Sequence, residues 1–360
     1  MRVFRGGTSA SSRSLLERSG VASVWRRRKT VRDSRIRPGY LPRMHAGFIT
    51  LIGRPNAGKS TLLNAVLGQK ISIISAKPQT TRNRILGIYN SEGVQIIMVD
   101  TPGLHQAKGR LNRAMVGVAT DSLQDVDAVC WVLDASGPAH RIASGSLPSK
   151  ILTKAESRVL ALIERSNVEK VSIALNKIDL LSRNALLPLI AALSERLPNA
   201  EIVPISALKN GSDKFSGGVD RLLTVWKGHI PESPALYPTD QVTDVSERFV
   251  VSELIREKIF NLTRQEIPYA VAVEVEKFSE EAREGKPPLF HIMARIMVER
   301  DSQKGILIGK QGSSLKRIGT LARKDIEPML GAPVFLQLHV SVAPKWTENP
   351  SLLRELGYES

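Results

Sequence analysis

The chain has 360 residues, 42% of them hydrophobic, with one cysteine and a net charge of +16. That length suits about two packed domains, a lone cysteine excludes a disulfide framework, and no apolar run approaches the ~20 residues of a membrane-spanning helix. The six histidines, at 45, 105, 140, 229, 291 and 339, have no metal-ligand spacing, so zinc chemistry is not indicated.

The charge is uneven: residues 1–43 hold twelve Arg and Lys against Glu17 and Asp33. This Arg- and Ser-rich stretch has no hydrophobic periodicity and is expected to be disordered. Three readings of it stand open. It resembles an organelle transit peptide, which would place the protein in a mitochondrial or plastid matrix. It could be a basic arm for RNA, or lie ahead of a true start at Met44, directly before the first core strand. It lacks the apolar stretch of a secretory signal.

Residues 47–52 read as a buried strand and 60–67 as a helix, with Gly53-Arg54-Pro55-Asn56-Ala57-Gly58-Lys59-Ser60 between them. Strand, GxxxxGK[ST] loop and helix in that order form a phosphate-binding loop. The glycines let successive N–H groups curl around a polyphosphate at a helix N-terminus. Lys59 would reach the β- and γ-phosphates and Ser60 would ligate Mg²⁺, with Thr61 beginning the helix. A second apolar strand, 94–99, runs into Asp100-Thr101-Pro102-Gly103. Asp100 is the expected magnesium acid, and the Gly103 N–H a γ-phosphate sensor whose downstream segment switches with nucleotide state.

Residues 128–133 read as a central strand, making Cys130 a core residue rather than a nucleophile. The small, turn-rich stretch 136–150 reads as a surface loop insertion. A further strand, 171–175, leads into Asn176-Lys177-Ile178-Asp179. Asp179 can accept hydrogen bonds from guanine N1–H and N2–H₂, which adenine does not offer, and such a mismatch can discriminate strongly. A last strand from 201 ends in Ser206-Ala207, whose backbone would meet guanine O6. Amphipathic segments 111–125, 153–166, 186–197 and 219–230 alternate with the strands. The expected fold for 44–230 is a doubly wound, mostly parallel α/β domain with its ligand at the carboxyl ends of the strands.

A proline-rich connector, 231–245, marks the boundary to a second domain at 246–343, with a tail at 344–360. In the second domain a helix over 247–262 precedes strands at 269–278 and 290–298. A GxxG turn, Gly309-Lys310-Gln311-Gly312, follows Ile306 and Ile308, then a helix through Leu315, Ile318, Leu321 and Ile326 and a strand at 334–342. This α-β-β-α-GxxG-α-β order resembles a KH domain of the second topological type. Such a loop admits an RNA backbone closely, and single-stranded RNA is the expected ligand. Ile308 through Gly312 with Lys316, Arg317 and Arg323 are the candidate RNA-binding residues; Lys304, Lys310 and Lys324 add to the basic footprint.

Over residues 44–360 the chain resembles the Era family of bacterial GTPases. The residues that carry this are the phosphate loop, Lys77-Pro78-Gln79-Thr80-Thr81-Arg82 with Asn83, Asp100-Thr101-Pro102-Gly103-Leu104, Asn176-Lys177-Ile178-Asp179, the stretch from Val298-Glu299-Arg300 to Arg323-Lys324, and the closing Leu356-Gly357-Tyr358. The resemblance implies GTP hydrolysis with Mg²⁺, binding near the 3′ end of small-subunit ribosomal RNA, and a role in maturing that subunit from a pre-30S-type particle. It also implies a monomer in the cytoplasm, peripherally associated with the inner membrane face. By the same resemblance residues 79–83 form the first switch, in which Thr80 or Thr81 meets Mg²⁺ and the γ-phosphate. Leu104 stands where Ras-like enzymes place a water-orienting Gln, which implies slow intrinsic hydrolysis helped by an ordered switch or a monovalent cation. K⁺ is that candidate cation, with Asn56 as its ligand or simply as a loop-stabilising residue. The chain departs from the family pattern in residues 1–43, in the length of 136–150, and in Pro344 ahead of Trp346.

The expected mechanism is a switch: GTP and Mg²⁺ order both switch segments, these dock on the KH domain or on 231–245, and RNA is held. Two rivals remain. A metabolic kinase or ATPase with a KH-like tail is opposed by the NKxD box. An RNA-binding protein that uses GTP only structurally is left open by Leu104.

Overall fold

The computed structural model describes residues 44–75, 77, 80–104, 109–145, 150–210, 217–263 and 267–358. The expected disorder of 1–43, and Gln79 of the first switch, lie outside the described residues.

The N-terminal domain is built on strands β1 (Met44–Ile52), β2 (Ile85–Ser91), β3 (Val94–Asp100), β4 (Ala128–Asp134), β5 (Val171–Asn176) and β6 (Glu201–Pro204), in the order β2-β3-β1-β4-β5-β6. All neighbours are parallel except the β2–β3 pair. Helices α1 (Lys59–Leu67), α2 (Arg110–Asp121), α3 (Ser136–Ala143), α4 (Lys154–Arg165), α5 (Arg183–Arg196) and α6 (Val219–His229) connect and cover the strands.

The strands are apolar on both sides because both sides are covered. In β4, Ala128, Cys130 and Val132 pack towards α1 and α6, while Val129, Trp131 and Leu133 pack towards α2, α4 and α5. Burial pushes the Cys130 thiol up to about 12, which removes it as a nucleophile. Local chemistry sets the helix ends: Thr153 and Glu156 form a reciprocal capping box at the start of α4, and Ser166 closes it.

One expectation is corrected. Residues 136–143 of the expected loop insertion form α3, with Pro138 and Ala139 buried. Proline is tolerated there because it stands in the first turn, and Asp134 Oδ1 accepts from Ser136 N at 3.0 Å and Ser136 Oγ at 2.6 Å. The connector packs on the first domain. Strand β7 (Glu232–Ser233) pairs antiparallel with β1, and buried Gln95 accepts from Leu236 N and Tyr237 N at 2.7 and 2.9 Å. Ile88 N donates to Val242 O at 2.7 Å, so the connector covers the β2 edge, which would otherwise be unpaired.

The second domain carries α7 (Glu247–Leu262), β8 (Ala272–Arg283), β9 (Lys286–Val298), α8 (Asp301–Ile308), α9 (Ser313–Leu330) and β10 (Val334–Val342), with sheet order β10-β9-β8. β9 pairs parallel with β10 and antiparallel with β8, and one core joins this sheet to α7, α8 and α9. After β10 the chain turns through Trp346–Glu348 and α10 (Pro350–Glu355), burying Trp346, Leu353 and Tyr358 against Ala272, Met297 and, on α2, Leu111 and Met115. No helix among the described residues is long and apolar enough to cross a membrane.

Candidate functional site

A cavity of about 460 Å³ opens at the carboxyl ends of β1, β3, β5 and β6. It gathers residues from the phosphate loop, the DxxG turn and the NKxD box, with the threonine pair: Pro55, Asn56, Gly58 to Thr61, Thr80, Thr81, Gly103, Asn176, Lys177 and Asp179; Ser206 and Ala207 stand behind the lining. The phosphate loop must approach its neighbours closely. Gly58 has φ +100°, and a Cβ there would lie 2.1 Å from Asn176 Nδ2. A Cβ on Gly103 would lie 2.6 Å from Pro55 Cα, so the loop and the DxxG turn are in backbone contact.

Lys59 is buried, and its ammonium donates to Gly53 O at 3.2 Å and Arg54 O at 3.1 Å. Burial lowers its pKa to about 8, with nearby Asp100 acting in the opposite direction. Burial raises the Asp100 carboxyl above its ordinary range, against Lys59, Ser60 and Ser72, which favour the charged form. Burial dominates both shifts although the two groups partly compensate each other, a pattern common where charged ligands bind.

Ser60 Oγ donates to Asp100 Oδ2 at 2.7 Å and lies 2.8 Å from Thr81 Oγ1. Ser72, which carries no motif, also donates to Asp100 Oδ2 at 2.9 Å from a fully buried position. Asp100 Oδ1 is buried and has no hydrogen-bond partner. Two hydroxyls and an orphaned carboxylate oxygen are a donor set for a hard divalent cation, so these residues fit Mg²⁺. The structure also separates the two threonines: Thr81 reaches Ser60, whereas Thr80 Oγ1 donates to Lys77 O at 2.8 Å.

At the other end, Asp179 Oδ1 accepts from Ser206 Oγ at 2.7 Å, and Lys209 Nζ stands 3.9 Å from Oδ2. Asn176 braces the halves together: its Nδ2 donates to Ala57 O at 2.9 Å and its Oδ1 accepts from Ala207 N at 3.0 Å. Lys177, held in the left-handed region at φ 65°, pairs with Asp134 at 2.6 Å. Leu180 and Leu208, exposed at 64% and 77%, line the cavity at this end and offer apolar faces to a base.

Some of the expected nucleotide-binding residues support the cavity from behind. Thr101 Oγ1 donates to Leu51 O at 2.7 Å, Leu104 N donates to Gly53 O at 3.1 Å, and Ile178 packs into the core. Pro102 is buried, and Arg54 pairs with buried Glu156 at 2.9 Å. Sequence reasoning missed Ser72, Asp134, Leu180 and Leu208. A polar residue closing a strand was the available signal for Asp134; for Ser72 there was none.

In the second domain Gly309-Lys310-Gln311-Gly312 forms a tight turn between α8 and α9, with Gly309, Gln311 and Gly312 at φ 71°, 52° and 77°. Lys310, Gln311, Lys316, Arg317, Arg323 and Lys324 are exposed, while Ile318, Ala322 and Ile326 face the core. The basic face is therefore separate from the packing face, and Ile306 stands 57% exposed near the turn.

The cavity and the second domain meet through the segment expected to be the first switch. Arg82 is 2% exposed and donates to Val271 O, Pro268 O and Tyr269 O at 2.8, 3.1 and 3.0 Å. Its guanidinium lies 5.9, 5.8 and 5.6 Å from the ring centroids of Phe260, Trp346 and Tyr358. Burial lowers the Arg82 pKa, partly offset by Tyr358. Arg256, fully buried beside Glu253, donates to Thr80 O, and Lys77 donates to Phe260 O and Thr263 O. Behind α1, Lys70 Nζ donates to Glu257 Oε2 and Asp325 Oδ2, both at 2.7 Å. At the start of α2, Glu348 Oε1 accepts from Arg110 N at 3.0 Å, capping that helix from the C-terminal tail.

Comparison with known proteins agrees with this architecture. The family model described as 50S ribosome-binding GTPase matches residues 48–177, and the KH domain model matches 266–347. The chain is 49% identical over 315 residues to GTPase Era of Geotalea uraniireducens, covering 87% of this chain and 98% of that protein. It is 42% identical over 314 residues to GTPase Era of Leuconostoc citreum, covering 87% and 96%. Among solved structures, it resembles a variant of Aquifex aeolicus Era bound to GDP·AlF₄⁻ at TM-score 0.78 and 37% identity, covering 88% of this chain and 100% of that one. An Era in complex with MgGDPNP and nucleotides 1506–1542 of 16S ribosomal RNA matches with the same TM-score, identity and coverage.

Proposed function

This chain belongs to the Era family and is a GTPase, and on that premise we propose that it is a nucleotide-gated RNA-binding switch acting on small-subunit ribosomal RNA during assembly of that subunit. The observation that carries the reading is the docking of both segments beside the γ-phosphate end onto the KH domain and its tail, through Arg82 and Arg256 on one side and Glu348 on the other. The solved Era complex with 16S ribosomal RNA supports the class of RNA. One matching family model is described by the large subunit, but it covers only residues 48–177. The full-length relative with 16S RNA is the better guide.

The proposed roles follow from the geometry. The loop from Gly53 to Ser60 and Lys59 bind the phosphates, and Asp179, backed by Ser206 and Ala207, selects guanine. Ser60, Thr81 and Asp100 would hold Mg²⁺. The ion supplies neutralisation of phosphate charge when bound. Leu104 is turned into the protein and 5% exposed, so no side chain there orients water, and hydrolysis depends on how well Thr81 and Gly103 are ordered. Asn56, at φ 62° on the cavity wall, is the candidate K⁺ ligand. Ile308, the GxxG turn, Lys316, Arg317 and Arg323 receive the RNA.

The test measures affinity for RNA spanning nucleotides 1506–1542 of 16S ribosomal RNA, with a non-hydrolysable GTP analogue and with GDP. A coupling of about 1–3 kcal/mol predicts a difference of roughly 5- to 150-fold; equal affinities would end the gating reading. Hydrolysis in K⁺ and Na⁺ buffers, with Asn56→Asp, tests the cation: equal rates in both would remove K⁺.

A further inference from the structure

The first switch has two faces, and consecutive residues use them. The Thr81 hydroxyl lies 2.8 Å from Ser60 Oγ at the metal end of the cavity. The Arg82 side chain enters the KH domain, where Val271, Pro268 and Tyr269 offer three carbonyl oxygens and Phe260, Trp346 and Tyr358 offer ring faces. The preceding carbonyl, on Thr80, accepts from buried Arg256. Thr81 is thus gripped on both sides by bonds whose other ends lie in the C-terminal domain.

This grip is selective in its chemistry. A buried cation is costly unless its donors are satisfied, and Arg82 Nε is buried with no partner. An apolar side chain would fill the same space among three rings at lower cost. What arginine adds is a planar fork that fixes direction, since three carbonyls define one orientation of the guanidinium. A lysine has the charge without the fork.

We propose that Arg82 is a positioning residue for GTP hydrolysis: the KH domain, by holding its guanidinium, sets the neighbouring Thr81 at the metal site and supplies in cis the ordering that residue 104 does not. This deepens the switch reading and rests on it. It makes the KH domain an internal activator of the reaction, before any RNA is bound. By reciprocity, Thr81 engaged at the metal site favours the docked KH domain by the same factor. GDP binding, which needs no first switch, is outside this coupling.

The test uses the full chain without RNA, comparing wild type, Arg82→Gln, Arg82→Lys, Thr81→Ala and Arg82→Gln with Thr81→Ala. Arg82→Gln is expected to lower kcat about tenfold or more, weaken the GTP analogue and leave GDP affinity within about twofold. Hydrogen exchange across 80–84 should rise in the analogue-bound state. Arg82→Lys, lacking the fork, should recover less than half of the lost rate. In the Thr81→Ala background the Arg82→Gln loss should nearly vanish, because both act through one contact; additive losses would show a merely structural role and overturn the proposal. Tyr358→Phe keeps the ring that lies 5.6 Å from the Arg82 guanidinium and removes its hydroxyl, and covers the case in which Arg82→Gln fails to fold. It should lower kcat about two- to threefold with Thr81 present and not without it, and an unchanged rate would also overturn the proposal. None of these readouts uses RNA, so they stand or fall apart from RNA gating.

Discussion

Asn176→Ala should separate the two halves of the nucleotide pocket, with a cost that can be worked out from the structure. Asn176 is 3% exposed, and its amide makes two buried hydrogen bonds, to Ala57 O at 2.9 Å and from Ala207 N at 3.0 Å. Truncation leaves one carbonyl and one N–H without partners. Each unsatisfied group costs about 1–3 kcal/mol, and the open cavity alongside lets water recover part of that, giving about 2–4 kcal/mol in all. At about 1.4 kcal/mol per tenfold, nucleotide affinity should fall roughly 30- to 1,000-fold. The brace touches the loop and the guanine-facing turn rather than the γ-phosphate end, so GTP and GDP should lose equally. Titrating fluorescent GDP and a GTP analogue into wild type and variant measures this directly. A loss below about threefold, or one confined to the GTP analogue, would refute the brace. Thermal melts without nucleotide separate pocket damage from global unfolding.

Two further expectations follow. Burial lowers the Lys59 pKa to about 8, and a phosphate beside it would raise it. Above about pH 8 the complex therefore holds up to one more proton than the empty protein, and nucleotide affinity should fall by up to about tenfold per unit. Titrations at roughly pH 7.5 to 9.5 with calorimetric proton counting check the sign; flat affinity would refute the assignment. Glu348→Ala removes a side-chain acceptor at the start of α2, where Gly109 offers none. Because Glu348 is exposed the loss should sit near the low end for caps, about 0.5–1 kcal/mol, with faster hydrogen exchange at 110–113. Unchanged exchange there would show that the tail does not hold the second switch.

The nucleotide boxes were legible in the sequence because their chemistry is local. A phosphate loop needs glycines and a lysine at fixed spacing, and each box stands at the end of an apolar run. The helix 247–262 and strand 334–342 were likewise legible, the helix from its apolar residues after Ser246 and the strand from its alternating apolar residues. Helix α3 was hidden because Ser, Gly and Pro at its start resemble a turn, and only Asp134 and the core under Ala139 make it helical. The prolines of the connector marked a boundary, but nothing in them showed that Gln95, about 140 positions earlier, holds its backbone.

What the amino-acid order determined by itself was which ligand chemistry this chain carries: phosphate, guanine, a divalent cation and an RNA backbone. What only the tertiary structure decided was how those sites address one another. Arg82, Arg256, Lys70 and Glu348 reach across 176 to 255 positions of chain in the bonds that join the two domains. No local spacing encodes such contacts. A buried guanidinium finds three carbonyl oxygens only after two cores have formed and a tail has closed over them.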